Sequence, residues 1–175
     1  MAVMEPSPKI IKFPDNKKFL RQNFVSPLCR TQKADINWHT ISKNWRQNAD
    51  KKQLKESLTQ TEQKLLDELF LLQMCSSLQL AKYYFPKDKA SMTKAKDRLK
   101  ALAAVGILVR HELKLQKANI PVYTLGPAGA LVLDIPYTPN WWKDCSPYKV
   151  LRQLITNQLF FRFKLLGYET VYNPT

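Results

Sequence analysis

The stretch between Lys89 and Lys100 contains the residues best suited to binding chemistry. On a helical wheel of about 100° per residue, Ala95, Leu99 and Leu102 form an apolar stripe that Met92 extends. The remaining positions carry polar and basic side chains that can contact an anionic partner: Lys89, Ser91, Thr93, Lys94, Lys96, Asp97 and Lys100. Lysines give strong, salt-dependent attraction to a polyanion, whereas Thr93 and Asp97 can add selectivity. Taken alone, however, the pattern is more typical of a solvated lysine face.

Further basic residues follow in a predicted β-hairpin. After Gly106, the runs "ILVRHELKL" and "IPVYTL" are rich in strand-forming residues, and the polar segment "QKAN" connects them. This connection predicts a loop longer than a two-residue turn. Arg110, Lys114 and Lys117 are candidate contacts to an anionic partner, and the loop is the expected tip. A polar hairpin loop with no binding role is an equally good interpretation.

The composition favours an anionic partner. The 175 residues include 28 Lys and Arg against 14 Asp and Glu, a formal charge of +14. This excess indicates DNA, RNA or an acidic membrane surface. An apolar fraction of 45% with 11% aromatic residues is typical of a folded protein.

No pattern of catalytic or metal-binding residues is present in the sequence. Cys29, Cys75 and Cys145 are widely spaced and have no histidine at a metal-ligand spacing, and His39 and His111 have no triad-like neighbours. There is also no phosphate-cradling glycine loop and no nucleophile motif. We therefore expect a non-enzyme without metal or cofactor. No apolar run approaches the ~20 residues of a membrane span or forms a signal peptide, so a cytoplasmic protein is expected.

The helices before the hairpin are marked by their capping residues. Thr59 and Glu62 form a capping-box pattern for a first helix over about 61–74. Ser76 or Ser77 is expected to cap a short second helix, "LQLAKYYF", which Pro86 ends. Ser91 is the expected cap of a third helix over 91–105, and Gly106 is the expected left-handed residue after it.

Pro127 is placed to begin a further helix after the hairpin. The predicted fold class is thus mainly α with a small β-hairpin.

This order resembles the winged helix-turn-helix class of DNA-binding domains. The resemblance is carried by "RLKALAAVGILVRHEL" and "VYTLGPAGALVL", which are similar to the end of a recognition helix and to the strand-to-helix junction of such proteins. Gly126-Pro127 stands where the class usually has Thr-Pro. Among winged-helix families the chain looks most like the replication-relaxation proteins of mobile elements. The resemblance implies that the third helix lies in the major groove of DNA and that the hairpin wing contacts the backbone.

The chain is predicted to have three parts. Residues 1–57 form a basic, proline-punctuated arm, residues 58–135 the winged-helix domain, and residues 136–175 a linker with an apolar helix over about 148–166. The apolar stripe of that helix is too wide for one packed side: Val150, Leu151, Leu154, Ile155, Leu159, Phe160, Phe163 and Leu166. We expect it to pack within the monomer and also to form a homodimer.

The leading hypothesis is a sequence-specific protein that binds double-stranded DNA. It would regulate transcription or assist plasmid or phage replication or transfer. The alternative is a winged-helix interaction module that docks a host or replication protein. The two differ in whether the exposed face of the third helix stays uniformly positive after folding.

Overall fold

The structure, a computed structural model, describes residues 34–39, 50–85, 89–116, 118–138 and 145–168. In these ranges the chain is mixed α/β, with six helices and one four-stranded antiparallel sheet. In chain order the elements are β1 (Asp35–Asn37), α1 (Lys51–Glu56), α2 (Gln60–Leu72), β2 (Met74–Ser76), α3 (Ser77–Tyr84), α4 (Lys89–Ala104), β3 (Leu108–Leu115), β4 (Ala118–Leu125), α5 (Pro127–Val132) and α6 (Pro147–Leu165). Helices predominate, as predicted, but the sheet is larger than a hairpin.

The hairpin β3–β4 is the centre of the sheet. β1 pairs with β3 and β2 pairs with β4, which gives the order β1-β3-β4-β2. Neither three-residue outer strand was predicted from the sequence. Leu115 is paired with Ala118, so two residues separate the central strands. The predicted longer loop is therefore wrong, because Ala118 and Asn119 belong to β4.

Helices cover both faces of the sheet, and successive strand residues point to opposite faces. One face contributes Leu108 and Tyr123 to a core shared with α2, α3 and α4, whose buried members include Leu65, Leu66, Leu69, Leu80, Leu99 and Leu102. The other face contributes Leu113 and Val122 to a second cluster, which contains Met74 and, from α6, Val150 and Leu154. Thus α4 packs on one face and the first half of α6 packs on the other, whereas Phe161, near the far end of α6, joins the first core.

The predicted caps of α2 and α3 are confirmed. Thr59 Oγ1 accepts a hydrogen bond from the backbone N–H of Glu62 at 3.2 Å, and the Glu62 carboxylate accepts one from the backbone N–H of Thr59 at 2.9 Å. Ser76 and Gln79 form the same reciprocal pair at α3, at 3.2 and 2.9 Å. α3 ends at Phe85, whose extended backbone is the conformation that a following proline favours.

The helix α4 begins earlier than predicted. Its first residue is Lys89, so Ser91 lies inside the first turn and is not the cap. Its far end is as predicted, because Gly106 has a φ of 73°, a left-handed conformation that glycine adopts without a steric penalty. The N–H of Ile107 donates to the carbonyl of Leu102 at 3.0 Å, which satisfies a carbonyl of the last turn and leads the chain into β3.

The predicted start of α5 at Pro127 is also confirmed, and the structure explains the glycine before it. A Cβ atom at Gly126 would collide with the backbone carbonyl of Gly106. The N–H of Gly126 donates to the carbonyl of Ile107 at 2.9 Å, so two backbone segments approach closely here. Only glycine fits this junction, which accounts for the departure from the Thr-Pro pattern.

Buried polar contacts hold α6 against α2, β2 and α3. The side-chain amide of Asn157 is fully buried and donates to the carbonyls of Leu72, at 3.1 Å, and of Met74. Gln79 donates to the carbonyl of Leu154 at 2.7 Å. The buried Phe161 ring stacks on Tyr83 with centroids 4.2 Å apart. The predicted packing of α6 within the monomer is thus confirmed, although Phe161 was missing from the predicted stripe.

A short part of the predicted N-terminal arm docks on the sheet. β1 runs antiparallel to the outer edge of β3, and the Trp38 ring meets the His111 ring edge-on with centroids 4.9 Å apart. The backbone N–H of His39 donates to Nδ1 of the buried His111 at 3.0 Å. Trp38 therefore packs against the domain.

Candidate nucleic-acid interface

An ion pair with α2 fixes one side of α4. Arg98 Nε lies 2.5 Å from Glu62 Oε1, and Nη2 of the same guanidinium donates to Glu62 Oε2 at 3.1 Å. Burial alone would raise the pKa of the Glu62 carboxyl, but hydrogen bonds from Arg98 and Thr59 and the Arg98 charge outweigh it and lower that pKa. The carboxylate that caps α2 therefore also orients α4.

The opposite side of α4 is exposed, as the helical wheel predicts. Ala95, Leu99 and Leu102 are buried, whereas the predicted binding residues on the far side are exposed: Thr93, Lys94, Lys96, Asp97 and Lys100. Ala101 and Ala104 continue this exposed face towards the helix end. Their small side chains allow another surface to approach the helix backbone closely.

One of these cations is partly neutralised on its own helix. Lys100 Nζ lies 2.9 Å from a carboxylate oxygen of Asp97, one helical turn away, and both side chains are exposed. Asp97 therefore supports a local pair, as the solvated-face interpretation implies. Lys94 and Lys96 form no ion pair with any described residue.

Two further predicted residues lie on the same side of the sheet as α4. Arg110 and Lys114 are exposed and alternate with buried residues of β3, on the face that Leu108 shares with α4. Lys114 is six residues from Leu108, about 20 Å along the strand. Arg110 contacts Glu112 at 3.4 Å, and Asp35 of β1 is the register partner of Lys114. Arg110, Glu112 and Lys114 thus form a row of mixed charge that extends along β3 away from α4.

Arg110 also influences a buried tyrosine. Its register partner across the hairpin is Tyr123, which belongs to the core. Burial raises the pKa of the Tyr123 hydroxyl, and the nearby Arg110 charge partly offsets that increase. Arg110 therefore lies at the border between the core and the exposed row of β3.

Positive charge is unevenly distributed over the described chain. Residues 50–85 carry five basic and five acidic side chains, which cancel. Residues 89–116 carry two acids, Asp97 and Glu112, against seven bases: Lys89, Lys94, Lys96, Arg98, Lys100, Arg110 and Lys114. Residues 145–168 carry no acid and four bases, Lys149, Arg152, Arg162 and Lys164. The excess is therefore concentrated on α4 with β3 and on α6.

Three predicted contacts cannot be placed as side chains. Lys89 and Ser91 belong to the first turn of α4, but only their backbone is described. Lys117, in the connection of the hairpin, lies outside the described residues. The structure thus places five of the predicted residues on one exposed face of α4, and Arg110 and Lys114 separately on β3.

Arg98 is the important residue that the sequence prediction missed. On the wheel it lies about 60° from Ala95, at the border of the apolar stripe, where a long cation can reach a neighbouring helix. Its partner Glu62 was predicted only as a capping residue. The position of Arg98 beside the stripe is the signal that distinguishes it from the outward lysines.

Other chemistry has little support in the described part of the chain. No group of three or more His, Cys, Asp or Glu side chains there is arranged to hold a metal ion. Burial raises the pKa of the Cys75 thiol well above its usual range, which disfavours the reactive thiolate. None of the described helices has the length and apolar character needed to cross a bilayer.

Comparisons of this chain with protein-family models, with curated proteins and with solved structures gave no match. The resemblance to replication-relaxation proteins therefore stays a prediction from the sequence.

Proposed function

We propose that the chain is a winged helix-turn-helix protein that binds double-stranded DNA. The order α2, β2, α3, α4, β3, β4 supports this proposal, because a winged helix places a short strand between its first two helices and two wing strands after its third. β2 lies beside β4, so the short strand joins the hairpin to form one sheet. In this arrangement α4 is the recognition helix and β3–β4 is the wing.

The observation that carries the proposal is the exposed face of α4. Its apolar side is buried, and Arg98 is bound to Glu62, so the helix is held with its lysine-bearing side outward. Lys94 and Lys96 form no ion pair with described residues. The small side chains of Ala101 and Ala104 allow another surface to approach the helix backbone closely. A rigid basic helix of this shape fits the major groove, about 12 Å wide.

The exposed residues fall into three groups with different roles in the proposed complex. Lys94, Lys96 and Lys100 contact phosphates and supply most of the affinity, whereas Thr93 and Asp97 contact base edges and supply selectivity. Arg110 and Lys114 on the wing contact the adjacent backbone or minor groove. Such a protein serves as a regulator of transcription or as an accessory factor in plasmid or phage replication or transfer.

Binding to a labelled duplex tests this function. We expect Lys96→Ala with Lys100→Ala to weaken binding, because two phosphate contacts are lost. The matched control is Lys52→Ala with Lys55→Ala, which removes two exposed charges from α1. If both double variants bound DNA as tightly as the wild type, α4 would not be the binding element. Selection from a random duplex pool then identifies the sequence.

A specific observation favours the protein-docking alternative. The surface formed by α4 and β3 is not uniformly positive, because Asp97 pairs with Lys100, Glu112 pairs with Arg110, and Asp35 adjoins Lys114. A mixed-charge surface is typical of contacts with another protein. A wild-type chain that ignores DNA at low salt but binds one host or replication protein would select this alternative.

A further inference from the structure

The outward side of α6 carries a second apolar stripe, opposite the side that packs on the sheet. Val150, Leu154, Asn157 and Phe161 are buried. On a wheel of about 100° per residue, four exposed apolar residues lie within about 20° of a common direction on the other side. They are Tyr148, 45% exposed, Ile155, 44%, Leu159, 42%, and the C-cap residue Leu166, 71%. A contiguous apolar patch of this kind marks an interaction site.

The spacing of these residues points to the partner. The intervals are seven, four and seven residues, so the pattern is symmetric about position 157. When two such helices run antiparallel, Tyr148 lies opposite Leu166 of the second copy, and Ile155 lies opposite Leu159 of the second copy. The same surface then serves both copies, as a two-fold interface requires. We propose that the protein forms a homodimer through an antiparallel pair of α6 helices.

The area of the stripe fits a weak dimer. If a large apolar side chain offers about 200 Å² when fully exposed, the four residues present on the order of 400 Å² per copy. Leu151 and the apolar stems of the flanking arginines increase the total for two copies to about 1,000 Å². This value is at the low end of specific protein interfaces, so the dimer should dissociate on dilution.

The charges on α6 determine how the dimer responds to salt. Arg152 and Arg162 are exposed and flank the stripe, and the helix has no acidic residue. In the antiparallel register each Arg152 lies opposite Arg162 of the second copy, so two like-charge contacts flank the central apolar pairs. Salt screens this repulsion and should strengthen the dimer, whereas it weakens binding to DNA. The two associations therefore respond to salt in opposite directions.

Sedimentation of the full chain without DNA tests the dimer, from low micromolar to several hundred micromolar protein. We expect a reversible monomer–dimer equilibrium that becomes tighter with added salt. Ile155→Lys with Leu159→Lys should weaken it at least about 100-fold, since the central apolar pairs are replaced by charges. Circular dichroism verifies that this variant is folded. A wild-type chain that stays monomeric throughout, or a folded lysine variant that dimerises equally well, would overturn the proposal.

A charge reversal tests the antiparallel register. Arg152→Glu places each new carboxylate opposite Arg162 of the second copy and should tighten the dimer about tenfold, since two repulsive contacts become attractive. Adding Arg162→Glu restores like charges and should reverse the gain. In a parallel pair, position 152 would meet itself, so Arg152→Glu would give no gain. That outcome would overturn the register. These results hold whether or not the protein binds DNA.

Discussion

The ion pair between Arg98 and Glu62 provides a quantitative test of how α4 is held. Arg98→Met keeps the length of the side chain but removes its charge. It leaves a Glu62 carboxylate that is only 3% exposed with no guanidinium beside it. Breaking a buried pair in this way typically costs 3–5 kcal/mol, whereas an exposed pair contributes about 0–1 kcal/mol. Because the Arg98 side chain is 42% exposed, we expect a loss of about 2 kcal/mol.

The pair also makes stability depend on pH. The folded-state pKa of Glu62 is below its usual value, so the unfolded chain takes up the proton first as the pH falls. This contribution is present above about pH 5 and is lost as the pH falls through the folded-state pKa. In Arg98→Met, burial is no longer offset to the same extent. We therefore expect this acid-dependent loss to shrink or disappear.

Urea denaturation of Arg98→Met, Glu62→Gln and the double variant measures the effect. Glu62→Gln keeps an acceptor for the Thr59 N–H, so the cycle isolates the charge interaction, with an expected coupling of about 1–3 kcal/mol. Lys94→Met is the matched control, since it removes an exposed cation of the same helix, and should cost less than about 0.5 kcal/mol. If Arg98→Met cost no more than Lys94→Met, the pair would not hold α4 in place.

Three further predictions concern the core and the two proposed associations. Burial and the nearby His39 charge lower the pKa of His111 from 6.5 to about 3. As the pH falls, the unfolded chain is therefore protonated first, and the free energy of unfolding should decrease by about 2 kcal/mol between pH 7 and pH 5. Urea denaturation of His111→Gln should lack this loss, and equal losses in the wild type and the variant would contradict the assignment. Asn157→Ala leaves the carbonyls of Leu72 and Met74 without their donor and should cost about 2–4 kcal/mol in the same assay, against less than about 0.5 kcal/mol for the exposed Thr156→Ala. Because the exposed residues of α4 are not part of the α6 stripe, a dimer through α6 leaves its two α4 faces free. The wild type should therefore bring two differently labelled duplexes together. The double variant Ile155→Lys, Leu159→Lys should not, and bridging by this variant would contradict a dimer through α6.

Local sequence signals predicted the elements that are held mainly by local contacts. The capping pairs Thr59–Glu62 and Ser76–Gln79 specify where α2 and α3 begin, and Gly106 specifies where α4 ends. The sequence predicts the start of α4 two residues too late, at Ser91, because a serine is a stronger cap signal than the lysine-rich turn before it.

Elements that depend on distant partners could not be predicted in the same way. β1 and β2 have three residues each and exist only through pairing with β3 and β4, which no local pattern reveals. The same holds for Asn157, a polar residue that is buried because Leu72 and Met74 present their carbonyls to it. The outward face of α4 follows from helical periodicity, whereas the pairing of Asp97 with Lys100 and of Arg98 with Glu62 required the folded structure.

The salt dependence of DNA affinity tests the central claim most directly, because each phosphate contact contributes about 0.9 to the slope of log affinity against log salt. The measurement is fluorescence anisotropy on one duplex between about 50 and 300 mM salt, for the wild type, for Lys94→Ala with Lys96→Ala, and for Lys52→Ala with Lys55→Ala. If α4 binds DNA, the α4 variant should have a slope smaller by about 2, and the α1 variant should keep the wild-type slope. Equal slopes for all three proteins, or a reduced slope only in the α1 variant, would contradict the assignment of α4 as the DNA-binding helix.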